Sequence, residues 1–180
     1  MGAVLIALAV GMLYRDPFFA PWFPFLFVFQ LVLASAGCHE IVHLLRADRR
    51  PQVAVCYLGV LGLAAGNWLV HLPGIPGEPW TILLGFLTGF HLIIFLYEMS
   101  AFTSPGRSVE RMAVTWLIIG YLGLLPCFFT QTRWLTDLHQ DNSIRLALAA
   151  FVPKGCDIGA YCVGRLIGRH PAAPVLSPKK

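Results

Sequence analysis

The chain has 180 residues, 57% of them hydrophobic and only 12% charged. A soluble domain carries about twice that charged share, so composition excludes an ordinary water-soluble globule and places the chain in a bilayer. The net charge of +4 is scattered. No basic stripe with interleaved aromatics occurs, which argues for loops near anionic lipid and against nucleic acid as a partner.

In chain order, apolar blocks predict about six membrane segments, near residues 2–14, 22–45, 53–72, 80–99, 112–130 and 144–167. The first lacks the positive n-region of a signal peptide and is short, so it reads as a short or clipped span with Arg15 snorkelling to the interface. Turn chemistry separates the blocks: Asp16-Pro17 and Pro21, Arg46 to Pro51, Pro73-Gly74 to Pro79, Ser104-Pro105-Gly106, and Thr136 to Asn142. The expected fold is an all-α, polytopic integral membrane bundle.

Positive charge sets the expected orientation. Arg46, Arg49 and Arg50 follow the second block, Arg107 and Arg111 follow the fourth, and Arg165, Arg169, Lys179 and Lys180 close the chain. The alternate loops are poorer in Lys and Arg. The N-terminus and the residue-180 end are therefore expected on the cytoplasmic side, with Trp22, Trp80 and Trp134 in an outer aromatic belt.

Small-residue spacings occur at Gly62/Gly66, Gly85/Gly89, Gly155/Gly159 and Gly164/Gly168. Such pairs let helices approach closely, and ordinary helix packing is the reading for the first two. The five cysteines, Cys38, Cys56, Cys127, Cys156 and Cys162, form no Cys-x-x-Cys pair and read as buried small hydrophobes.

The sixth segment departs from the others. It carries Arg145, Pro153, Lys154, Asp157 and Arg165 at membrane depth, where charges face a water-filled cavity or one another. At about 100° per residue, Asp157, Tyr161, Gly164 and Gly168 share one helix face. Two readings stay open on the residues alone. One is a polar ligand face, with Pro153 kinking the helix beside a cavity. The other is a neutralising Lys154–Asp157 or Asp157–Arg165 pair.

The run Asp157-x-x-Ala160-Tyr161-x-x-Gly164-Arg165-x-x-Gly168, the Pro171 to Pro174 link and Ser177-Pro178-Lys179-Lys180 resemble the phosphatidate cytidylyltransferases, the CDP-diacylglycerol synthases. The resemblance implies transfer of CMP from CTP to phosphatidate, giving CDP-diacylglycerol and pyrophosphate for phospholipid synthesis. It implies Mg²⁺ as cofactor, CTP, phosphatidate and membrane lipid as partners, and a bacterial-type inner membrane as location. Residue by residue, it implies Asp157 as the catalytic or metal-proximal polar group. Tyr161, Arg165, Ser177, Lys179 and Lys180 would be substrate contacts, with the lysines on the triphosphate. In that family Ser-Pro-Lys-Lys runs on into Thr-x-Glu-Gly, and the metal carboxylates follow in a segment rich in Lys-Asp and His-Gly-Gly-x-x-Asp-Arg. The chain stops before both, so it is expected to be the front part of a longer protein and inactive alone. Residues 1–142 are then an N-terminal bundle of five spans, and residues 143–180 the start of the cytidylyltransferase core. A homodimer is a further expectation.

A competing motif is His39-Glu40-Ile41-Val42-His43, which fits the His-Glu-x-x-His of zinc metalloproteases. Asp137 and Asp141 fall in an outer loop, which leaves His91 and Glu98 to complete a metal site. Alternatively Glu40, His91 and Glu98 line a polar cavity facing Asp157, or His39 and His43 are interfacial and Glu40 pairs with Arg46. A CTP-using lipid kinase, an archaeol-type cytidylyltransferase and a non-catalytic membrane subunit also stay open as functions for such a chain.

Overall fold

With no water in the hydrocarbon to serve exposed N–H and C=O groups, a spanning segment must bond its own backbone, and long apolar runs become helices. The computed structural model describes residues 10–45, 50–72, 77–102, 106–135 and 142–167. Residues 10–15 are helical and lead into a 3₁₀ turn, Asp16–Phe19. Then follow α1 (Pro24–Leu44), α2 (Val53–Leu69), α3 (Pro79–Ser100), α4 (Ser108–Ile118), a π-helical stretch (Ile119–Leu124), α5 (Leu125–Gln131), a 3₁₀ turn (Thr132–Trp134) and α6 (Asn142–Ile167). No strand occurs among the described residues.

Four of these stretches are long and apolar enough to cross a membrane: Pro24–Leu44, Pro79–Ser100, Ser108–Trp134 and Ser143–Ile167. The shorter Val53–Leu69 makes a fifth apolar helix, so the described segments follow the expected blocks closely. Most of the first block lies outside the described residues; Met12 and Leu13 pack against the aromatic end of the bundle.

The core centres on α2, which touches α1, α3, α4 and the π stretch. Its glycines make that possible. A Cβ on Gly59 would collide with Ile119, one on Gly62 would sit 2.6 Å from the Phe90 ring, and one on Gly66 would sit 3.0 Å from Phe86. Gly62/Gly66 is therefore a close-packing pair, as expected. Gly85/Gly89 is not, because a Cβ at either position meets nothing within 4 Å. That pair points away from the bundle with Leu84, Leu92 and Leu96, which are all more than half exposed. Exposed apolar side chains at this density suit lipid rather than water.

Pro126 explains the wide turn before it. Its missing N–H would leave the Leu122 carbonyl without an α-type partner, and a local π geometry redistributes the bonds. The wide turn brings Gly123 against Leu63 and the backbone of Val60. Cys38, Cys56 and Cys127 are fully buried there as expected, whereas Cys156 and Cys162 are exposed on α6, which corrects the reading of those two.

One end of the bundle is held by a polar and aromatic layer. The Asp16 carboxylate accepts from the Phe25 and Leu26 amides at 3.0 and 3.2 Å, and so satisfies orphan donors of α1. Burial pushes its pKa up against those bonds and the nearby Arg133 charge. Asn67 donates to Thr130 (2.9 Å) and accepts from Gln131 (2.6 Å), while His71 donates to Gln131 (3.2 Å) and stacks on Trp134 at 3.8 Å. The indoles of Trp68 and Trp134 donate to the carbonyls of Trp22 and Pro21. Trp22, Trp80 and Trp134 thus share one end of the bundle, as an aromatic belt requires.

Candidate functional site

Two polar constellations stand out, and they lie on different elements. The first is the outward helix α6. It is anchored near its start, where Leu146 is buried and the Arg133 guanidinium donates to the Ser143 hydroxyl. From Val152 to Ile167 every side chain is exposed, and only 6% of the apolar window of α6 is buried, against 28% for α1. Asp157 lies about 21 Å along the helix from Ser143, at 1.5 Å per residue.

On that free stretch Asp157, Tyr161 and Gly164 share a face, as their spacing dictates. Arg165 donates from Nη1 to the Tyr161 hydroxyl at 3.2 Å, which fixes the guanidinium along the helix. Among the described contacts Asp157 pairs with neither Lys154 nor Arg165. A Cβ on Gly164, on this face, would meet nothing within 4 Å, and neither would one on Gly155 or Gly159, about 160° round the helix from Asp157, so no described helix packs on either side. The structure thus brings three of the expected site residues, Asp157, Tyr161 and Arg165, onto one accessible surface. Ser177, Lys179, Lys180 and Gly168 lie outside the described residues.

The second constellation was missed as a unit. Glu98, 4% exposed, sits where α2, α3 and α4 meet. Its carboxylate accepts from Gln52 Nε2 at 2.9 Å and from Arg111 Nη2, and Gln52 Nε2 also reaches the Ile94 carbonyl at 3.1 Å. The Gln52 backbone N–H donates to the Thr115 hydroxyl at 3.0 Å, which in turn donates to the Arg111 carbonyl at 2.8 Å. The buried Glu98 charge thus has its partners, as low dielectric demands. The cluster ties three helices together.

Its position corrects two expectations. Glu98 is committed to Arg111 and Gln52 and does not face Asp157. His91 lies against Trp116 at 5.5 Å, and Glu40 is exposed near the Leu44 end of α1. Glu40, His91 and Glu98 therefore line no common cavity among the described residues. Nor do His91 and Glu98 complete a zinc site with His39 and His43, and no group of three metal-ligating side chains occurs among the described residues. Arg46, the suggested partner of Glu40, lies outside the described residues.

A family model, the cytidylyltransferase family, matches residues 1–180. The phosphatidate cytidylyltransferase of Staphylococcus epidermidis is 28% identical over 159 residues, which covers 86% of this chain and 55% of that protein. The phosphatidate cytidylyltransferase of Staphylococcus aureus is 28% identical over 161 residues, with the same shares of each. The chain spans about half the length of these curated relatives. No solved structure matches it. The apolar helices make it a multi-pass membrane protein. With its whole length matched by the family model, the chain belongs to the cytidylyltransferase family.

Proposed function

We propose that this chain is the N-terminal part of a phosphatidate cytidylyltransferase, which transfers CMP from CTP to phosphatidate and releases pyrophosphate. The observation that carries the reading is the free face of α6, where Asp157, Tyr161 and Arg165 stand together with no described helix against them. Family membership and the names of the relatives support it.

In this reading residues 1–142 are the scaffold and residues 143–180 open the reaction core. Phosphatidate arrives laterally from the bilayer and CTP from the water. The residue-180 end faces the cytoplasm at a bacterial inner membrane. Arg165, held by Tyr161, presents a planar fork suited to a phosphate. Lys179 and Lys180 neutralise the triphosphate, Ser177 is a further contact, and Asp157 orients polar groups at the reacting phosphate. Mg²⁺ belongs to the proposal through the family. The described residues do not build a site for it: α6 offers Asp157 as its one described carboxylate, and no group of three ligands forms.

The test is conversion of labelled CTP and phosphatidate by membranes expressing the longer protein of which this chain is proposed to be the N-terminal part. CDP-diacylglycerol and pyrophosphate are expected. Asp157→Asn and Arg165→Gln should each lower the rate about tenfold or more, the loss expected for one charge-assisted contact. Phosphorylated lipid with CDP would instead identify a lipid kinase. Unchanged turnover in both variants would overturn the site assignment, and no turnover at all would leave a packing subunit.

A further inference from the structure

The His39-Glu40-x-x-His43 motif is not absorbed by the proposed reaction, and its geometry is specific. His39 and His43 lie one turn apart at the Leu44 end of α1, both exposed, with ring centroids 4.0 Å apart and planes tilted by 34°. His43 Nδ1–H donates to the His39 carbonyl at 2.8 Å, which fixes the tautomer and leaves Nε2 with its lone pair. His39 Nδ1 lies 3.4 Å from the Tyr57 hydroxyl on α2, and the tautomer that donates to that oxygen leaves Nε2 free. Ligating histidines are oriented in this way, with the second ring nitrogen bonded to a carbonyl or other oxygen.

From this arrangement we infer that His39 and His43 form a two-imidazole site for a borderline divalent transition-metal ion, such as Zn²⁺ or Cu²⁺. Metal–nitrogen bonds of about 2.0–2.1 Å put two ligating nitrogens about 3–3.5 Å apart, a spacing that tilted rings with centroids 4.0 Å apart reach by side-chain rotation. Imidazole selects Zn, Cu or Ni over Mg, so the site is chemically separate from any magnesium of nucleotidyl transfer. Glu40 lies about 100° further round the helix and does not share the ion. Two protein ligands leave the remaining positions to water. A hydrolytic zinc centre takes three protein ligands, so this pair is an exchangeable interfacial site rather than a protease centre.

The experiment is Cu²⁺ titration of the purified full chain in detergent, followed by electron paramagnetic resonance, with Zn²⁺ calorimetry in parallel. One saturable equivalent is expected, with the splitting of two equatorial imidazole nitrogens. His39→Ala and His43→Ala should each reduce that signature to one nitrogen and weaken binding tenfold or more. His91→Ala, on α3, should leave both unchanged. Unaltered melting temperatures in the two alanine variants would show that the loss is not unfolding. No saturable equivalent, or one insensitive to both substitutions, would overturn the inference and leave a stacked interfacial pair.

Discussion

The Glu98–Arg111 pair makes an asymmetric prediction. The Glu98 side chain is 5% exposed and that of Arg111 is 41% exposed, so the two partners do not share the consequences of separation equally. Arg111→Met strands a buried carboxylate with the Gln52 amide and the Ser108 hydroxyl as its remaining donors. Breaking a buried pair costs about 3–5 kcal/mol, and the half-open Arg111 side puts this case near the lower figure. Glu98→Gln keeps the shape and an acceptor, while Arg111 turns to solvent, so about 1 kcal/mol is lost. At roughly 2–4 °C per kcal/mol for a chain of this size, Arg111→Met should lower Tm by about 6–12 °C and Glu98→Gln by about 2–4 °C. The double variant should recover most of the Arg111→Met loss, because no buried charge then lacks a partner. Thermal unfolding of the detergent-purified protein reads all three. Equal losses, or a milder effect of Arg111→Met, would refute the burial argument.

Gly59→Ala forces a Cβ into Ile119, which is itself fully buried, and should destabilise by about 1–3 kcal/mol, whereas Gly85→Ala meets open space and should be neutral or slightly stabilising; the same melting assay separates them. Burial holds the His71 imidazole below its usual range, against the opposing Gln131 hydrogen bond. The unfolded chain therefore takes up the proton first, so stability should fall as pH drops through about 6.5 and level off below the folded value. His71→Phe should remove that slope in melts from pH 7.5 to 5. Asp157→Asn and Arg165→Gln, on the exposed stretch of α6, should shift Tm by less than about 2 °C while lowering nucleotidyl transfer, since surface changes fall within about 0.5 kcal/mol. A large Tm loss would make α6 structural instead.

Spacing showed where spans lie but not which way their faces turn. Gly62/Gly66 and Gly85/Gly89 have the same pattern, yet one packs on Phe90 and Phe86 and the other faces outward. Helical period is shared by a buried face and a lipid face when both are apolar, so only the neighbouring helix decides. Glu98 and Arg111 were open to counting: they lie at nearly equal distances along the chain from the Ser104-Pro105-Gly106 turn, and antiparallel helices bring such positions level. Reading Arg111 as a loop cation hid that symmetry. Gln52 was beyond reach, because it comes to Glu98 from 46 residues away through the placement of α2. Asn67, alone in an apolar run, was the visible trace of the Asn67–Thr130–Gln131 layer, since a lone amide in a span requires a partner on another helix.

The sixth segment was legible for the opposite reason. Its composition violates the rule the other spans obey, and charges at membrane depth are retained where they face water or polar protein. Lys154 and Arg165 have stems long enough to snorkel, but Asp157 does not, and its carboxylate has no ion-pair partner among the described contacts. A bare carboxylate is costly in hydrocarbon, which is the physical argument for the proposed reading that this face meets a hydrated cavity or a polar surface. The bundle around α2 satisfies its polar groups internally at Glu98, Asn67 and Asp16. Among the described spans, α6 is the one that presents a whole polar face outward. In the proposed reading stability and chemistry fall to separate elements of one chain, so substitutions in α2 and α6 should be distinguishable by melting alone.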